Sequence, residues 1–160
     1  MNTIITFIDF SDVTPKLMEQ TEQFAMAFNS RVILLHVVPP PSTPLVMEMG
    51  FVAQDDVIEQ DYKRLTALAK LLTNSGINTR AEQMVDADIA SVVSFCDQWR
   101  PDFAIVGSHH RNVFQRLFLG SFGNDVLKTA PWPVLVVPAP PTPESEPLPV
   151  GDLSATPAAS

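Results

Sequence analysis

Cysteine is almost missing from this chain. Cys96 is the only one among 160 residues, so no disulfide within the chain can brace the fold. It lies in the helical-looking stretch SVVSFCDQW and is expected to be a small buried apolar residue. Basic residues are also scarce, with ten Lys and Arg against 18 Asp and Glu and a formal net charge of −8. Non-specific nucleic-acid binding and anionic-membrane binding both need a basic face, so neither partner is expected, although Arg111, Arg116 and Lys128 can form a local basic patch. No apolar run approaches the ~20 residues of a membrane-spanning helix. The opening MNTIITFIDF has no basic leader and begins directly on a strand pattern, so no signal peptide is expected and the expected compartment is the cytoplasm.

Several chemical signatures are lacking as well. His36, His109 and His110 are the only histidines. No cysteine or acidic residue stands near the His109–His110 pair at a zinc-like spacing, so no metal site is expected. There is no G-x-S-x-G nucleophile elbow and no G-x-x-x-x-G-K-[ST] phosphate loop. Without that lysine and a metal-binding carboxylate pair, fast ATP hydrolysis is not expected, and no catalytic residue is assigned. Slow ATPase activity stays open.

What is present is an alternation of buried strands and amphipathic helices. The 46% apolar share and the length suit one domain with a sizeable core. Thr3 to Asp9 and RVILLHVV (Arg31 to Val38) read as buried strands, and His36 within the second reads as a core or edge residue. Between them, Ser11 or Asp12 is placed to cap a helix with Pro15 in its first turn and Leu17, Phe24, Ala25 and Phe28 on one face. The proline-rich stretch after Val38 makes Pro39 to Gln54 an irregular connection over a pocket mouth. A long helix is predicted over Asp55 to Asn74, with Val57, Ile58, Tyr62, Leu65, Leu68, Ala69 and Leu72 as its apolar stripe and Gly76 as its stop. A third strand follows over Asn78 to Val85. Asp88 is placed to cap a helix whose inner face is Ile89, Val92, Val93 and Cys96. Phe103 to Val106 and Val134 to Val137 are the last strands. Five strands alternating with helices predict a parallel α/β sheet covered on both faces. Pro138 to Ser160 has seven prolines and little apolar surface, and is read as a disordered tail.

The stretch from Val106 to Val137 carries the functional signal. A strand ends at Gly107, a polar loop follows, and Gly120-Ser121 opens a helix. Glycine lets backbone approach a ligand, and a helix start offers unpaired N–H groups and a positive dipole end, so these are the parts of an anion site. Asp9, Val37 to Val38 and Gly107 all stand at carboxyl ends of predicted strands, where parallel sheets bind ligands at a reversal of strand order.

Four segments resemble the universal stress proteins: TFIDFS with Asp9, LLHVV, DFAIVGSHH, and LGSFGNDVLKTAPWPVLVVP. The likeness covers residues 1–138 and leaves 139–160 as the tail. The family's nucleotide motif is Gly, two residues, Gly, nine residues, Gly, then Ser or Thr; here Gly107, His110, Gly120 and Ser121 occupy those positions. The resemblance implies an adenine-nucleotide alpha hydrolase-like, Rossmann-like sandwich. It also implies a regulatory stress-response dimer that binds ATP, ADP or AMP, with magnesium if the ligand is ATP. By the same resemblance Asp9, Val37 and Val106 would contact adenine and ribose, with Ile8 and Phe10 nearby in the binding site. Gly107, His110, Arg111, Gly120, Ser121 and Phe122 would hold the phosphates. His110 departs from the motif: it adds a Cβ and fills space near the anion, while Arg111 supplies positive charge. The alternative is a dimeric protein-interaction module with its site closed by His110 and an unknown protein partner. The family also implies homodimers through Val134 to Val137, which would remove the cost of an open sheet edge.

Overall fold

The computed structural model describes residues 2–38, 54–108 and 121–139. In chain order the elements are β1 (Thr3–Phe7), α1 (Thr14–Phe28), β2 (Arg31–Val38), α2 (Gln54–Asn74), β3 (Thr79–Val85), α3 (Ile89–Gln98), β4 (Phe103–Ser108), α4 (Ser121–Thr129) and β5 (Val134–Pro138). The five strands are all parallel and lie in the order β3-β2-β1-β4-β5. The chain therefore steps outward from β1 to β2 and β3, then returns to the other side of β1 for β4 and β5. The reversal falls between β1 and β4.

Alternation along each strand builds two cores. Ile4, Val32, Leu34 and Ile105 face α1 and α2, where Leu17, Ala25, Leu65, Ala69 and Leu72 meet them. Ile5, Ile33, Leu35, Ala104 and Val106 face α3 and α4, against Val92, Cys96 and Val126. A strand buried on both faces has little room for unpaired polar groups: the middle of β2 reads as an unbroken apolar run, and the two buried threonines of β1 are each bonded, Thr3 to Arg31 and Thr6 to Thr21. Burying each large aliphatic side chain contributes roughly 1.5–3 kcal/mol.

The helix ends follow backbone chemistry. Gly76 takes φ 86 just past α2, its N–H donates to the Thr73 carbonyl, and Ile77 N–H donates to Leu72 O. Asn29 closes α1 in the left-handed conformation. Asp88 caps α3 as expected, accepting at 2.8 Å from Ser91 N–H. The start of α1 differs from expectation. Its cap position is Val13, with no side-chain cap, and Pro15 sits in the first turn. Ser11 contributes its carbonyl to Thr14 N–H rather than its hydroxyl. On α2, Val57 and Tyr62 are 43% and 46% exposed, so the buried stripe is narrower than periodicity suggests. Phe28 is half exposed yet packs with Phe24 and Phe103, its ring centroid 6.1 Å from each. The connection Pro39 to Gln54, apart from Gln54 at the start of α2, and the tail beyond Ala139 lie outside the described residues.

Candidate functional site

Three chain segments meet where the strand order reverses. β1 ends at Phe7 and continues through Ile8, Asp9 and Phe10 into α1. β4 ends in Val106, Gly107 and Ser108. Because a crossover helix runs back against its strands, α4 starts at the same carboxyl end of the sheet. Phe122, in its first turn, packs edge-on against Phe7 with centroids 5.5 Å apart. The register pairs Thr6 with Ile105, and continuing it sets Ile8 beside Gly107. Ile8, Phe7 and Val106 are buried, while Asp9 is exposed.

The turn after β1 is tightly organised. Asp9 Oδ1 accepts from both the Ser11 N–H at 3.1 Å and the Ser11 hydroxyl at 2.7 Å. Such a local acceptor organises a turn, and it holds the carboxylate at the strand end. Phe10 has φ 58, a left-handed conformation rare for a bulky residue. Strain of this kind persists where neighbours over-determine it. Here the Phe10 ring lies 4.8 Å from the His36 ring and 4.2 Å from the Arg64 guanidinium carbon.

Gly107 has a packing reason. A Cβ there would stand 3.1 Å from Val13 Cγ1, and Val13 is fully buried at the entry to α1. Glycine thus lets the first turn of α1 close onto the end of β4. Next to it, the Ser108 hydroxyl is fully buried without a hydrogen-bond partner among the described residues, and so is the Thr14 hydroxyl in the first turn of α1. Buried hydroxyls are normally bonded. Alternation puts Ser108 on the face of β4 shared with Ala104 and Val106, the side that α4 covers.

Of the residues singled out from sequence, the structure gathers Ile8, Asp9, Phe10, Val106, Gly107 and Phe122 at this reversal point, with the α4 backbone beginning at Ser121. Val37 stands one strand away, near the end of β2, on the face of α3 and α4. His110, Arg111 and Gly120 lie outside the described residues. Val13, Ser108 and His36 were missed as site residues. A glycine at a strand end calls for a close neighbour, which is the signal for Val13, and Ser108 follows that glycine directly. A groove of about 730 Å3 lies between α1 and α2, lined by Met18, Leu68, Leu71 and Arg64 among others. It shares Phe10, Ser11 and Thr14 with the turn after β1 and the first turn of α1.

Among the described residues no helix is long and apolar enough to cross a membrane. No group of three or more His, Cys, Asp or Glu is placed among them to hold a metal ion.

A universal stress protein of Methanocaldococcus jannaschii is 25% identical over 139 residues, covering 86% of this chain and 82% of the relative. The structure of the universal stress protein from Archaeoglobus fulgidus in complex with dAMP matches with a TM-score of 0.61 at 19% identity, over 85% of this chain and 97% of that one. A universal stress protein in complex with cAMP matches with a TM-score of 0.59 at 21% identity, over 87% and 98% of the two chains. The universal stress protein family model matches residues 1–138, and the chain, with its parallel sheet and strand-end crevice, belongs to that family.

Proposed function

We propose that this protein is a regulatory, non-catalytic adenine-nucleotide-binding protein of the stress response. It acts as a cytoplasmic homodimer whose domain is residues 1–138, with 139–160 a proline-rich tail. The observation that carries the reading is the convergence of the β1 end, the β4 end and the first turn of α4 at the strand-order reversal, with Phe7 and Phe122 in contact. Two relatives of the same fold are described as complexes with dAMP and cAMP, which supports an adenine nucleotide as the ligand class.

In this reading Asp9 accepts from a ribose hydroxyl or the adenine amino group, and Ile8, Val106 and Val37 border the base. Phosphates rest against Gly107, the N–H groups at Gly120, Ser121 and Phe122, and the His110–Arg111 loop. The buried Ser108 and Thr14 hydroxyls supply further polar partners. Magnesium would arrive on the phosphates of ATP.

The dimer is proposed through β5. This strand is at the sheet edge. Pro133 O accepts from Ala104 N–H and Ala139 N–H donates to Ser108 O, so the odd-numbered residues bond β4. The N–H groups of Val134 and Val136 therefore point outward, where a second copy can pair with them. Ligand occupancy would then bias the loops around the crevice, and through them what the dimer binds.

A second reading has support in one residue: His110 occupies a position where the family motif has glycine, so the crevice would be closed and the dimer surface would carry the function. Calorimetric titration with ATP and with AMP, on the unmodified chain and on His110→Gly, separates the two. Binding in the micromolar range by the unmodified chain is the expected result. Binding by the variant alone would move the function to the dimer surface, and binding by neither would overturn the nucleotide reading.

A further inference from the structure

His36 closes a ring of contacts around the turn that carries Asp9. β1 ends at Phe7, yet Ile8 N–H still donates to Leu35 O at 2.9 Å. The Ile8 carbonyl then meets His36 Nδ1 at 2.7 Å. A carbonyl only accepts, so Nδ1 is assigned the hydrogen. On its other side His36 Nε2 faces Asp61 Oδ2 of α2 at 3.7 Å. Asp61 Oδ1 accepts from Arg64 Nη1 at 3.0 Å, and the Arg64 guanidinium covers the Phe10 ring at 4.2 Å. Phe10 in turn leans on the His36 ring. The circuit runs from Ile8 through His36, Asp61 and Arg64 back to Phe10, and Asp9 sits between its two ends.

We propose that His36 is a positioning residue for the ligand crevice: it locks the Ile8–Phe10 turn to α2, and protonation of its ring tightens that lock so that anion affinity rises as pH falls. The inference rests on the nucleotide reading above. Both atoms facing the ring are acceptors, a carbonyl at Nδ1 and a carboxylate at Nε2. A neutral imidazole has one N–H and satisfies only the first. The imidazolium has two: it keeps the bond to Ile8 O and adds a charge attraction to the Asp61 carboxylate at 3.7 Å. Among the described residues the charged groups around the ring are Asp61 and Arg64 on α2, and Asp9 directly follows the bonded carbonyl. On β3 its register partner is the uncharged Gln83, which donates to Ile58 O. The side-chain exposures of His36 and Asp61 are 12% and 19%, low enough for the pair to be only weakly screened.

Two measurements on the full-length chain test this, one with ligand and one without. The first is calorimetry with ATP from about pH 8 down to about pH 5, the range in which histidine titrates. His36→Ala is expected to weaken binding about fivefold or more, the worth of one positioning hydrogen bond. His36→Gln keeps a donor that does not titrate. It is expected to bind within about twofold of the unmodified chain near pH 8, and to lose the gain at low pH. Asp61→Asn is expected to flatten the same gain. Because the phosphates of ATP also titrate, the quantity read is the ratio of variant to unmodified affinity at each pH. A ratio for His36→Gln that stays constant with pH would overturn the proposal.

The second measurement is an NMR titration of the ligand-free chain, following the amides of Asp9, Phe10 and Ser11. They are expected to move with a single histidine-like curve that vanishes in His36→Gln. Amides that do not respond would overturn the positioning role. If the unmodified chain binds no ATP, the nucleotide reading fails by itself, and this ligand-free titration still decides the role of His36.

Discussion

Replacing Gly107 by Ala tests whether the glycine at the end of β4 is there for packing, for a ligand, or for both. The new Cβ would stand 3.1 Å from Val13 Cγ1 and 3.4 Å from Val13 Cβ. The first distance is shorter than ordinary van der Waals contact. Val13 is fully buried and carries a branched, stiff side chain, so it cannot swing away. Gly107 is not in the left-handed region, so backbone strain adds nothing and the cost is steric alone. Overpacking of one methyl group into a closed site costs about 1–3 kcal/mol. For a domain of this size that is a fall in Tm of roughly 2–12 °C. Val13→Ala removes the offending methyl at its own cost of about 1–3 kcal/mol. Together the two substitutions should cost less than their sum by about 1 kcal/mol or more, because Val13→Ala removes the methyl groups that the Cβ added at residue 107 would meet. Thermal and urea unfolding of the four proteins measure this directly. Simple additivity, or an unchanged Tm in Gly107→Ala, would refute the packing account. ATP titration of the double variant then isolates the ligand part: a double variant that is folded at the assay temperature yet has lost binding would mean that the backbone of Gly107 also has to touch the ligand.

Three further outcomes are expected. Burial, reinforced by the Asp97 carboxylate, pushes the Cys96 thiol from 9.0 up to about 12; the folded thiol should therefore resist a thiol-reactive dye at about pH 8 until urea exposes it. The unfolded chain gives up this proton first, so this group's contribution to stability is complete below pH 9.0 and declines toward about 12, as pH-dependent denaturant melts would show. Hydrogen bonds from Ser91 hold the exposed Asp88 carboxyl below its ordinary value of 3.8. That contribution is present above 3.8 and is lost as pH falls through the lower folded value, so Asp88→Ala should lower Tm near neutral pH, with the gap closing in acid. Val136→Pro removes an outward-pointing N–H while the bonds from Leu135 and Val137 to β4 remain; sedimentation should show a monomer with unchanged circular dichroism, and a persisting dimer would exclude pairing through this edge.

Much of the sheet was legible because burial on both faces leaves a plain signature. Ile4, Ile5, Val32, Ile33, Leu34 and Leu35 are all fully buried, and no exposed strand can be apolar at every position. Helix ends with a single-residue cause were legible too, such as Gly76 after α2 and Asp88 before α3. The stripe on α2 was drawn too wide at Val57 and Tyr62 because periodicity gives a direction but not the width of the neighbour that covers it. At the start of α1, Ser11 and Asp12 both look like caps. The choice was made by the turn just before the helix: Asp9 already holds the Ser11 hydroxyl and N–H, leaving Val13 to open the helix.

The same distinction runs through the site. Asp9 and Gly107 can be found from sequence because each lies within two residues of a strand end, and strand ends in a parallel sheet share one rim. His36 could not be found in that way. It looks like one more core residue of RVILLHVV, and alternation says only that it points opposite to Val37. What makes it significant is that α2 crosses β2 with Asp61 over the imidazole while β1 stops one residue short of the ladder's next step. Both facts depend on how separate elements dock. The residues proposed to touch a ligand follow from strand ends and local glycine chemistry; the residue proposed to aim them follows from packing between elements, and only the assembled sheet brings Ile8, His36 and Asp61 within reach of one another.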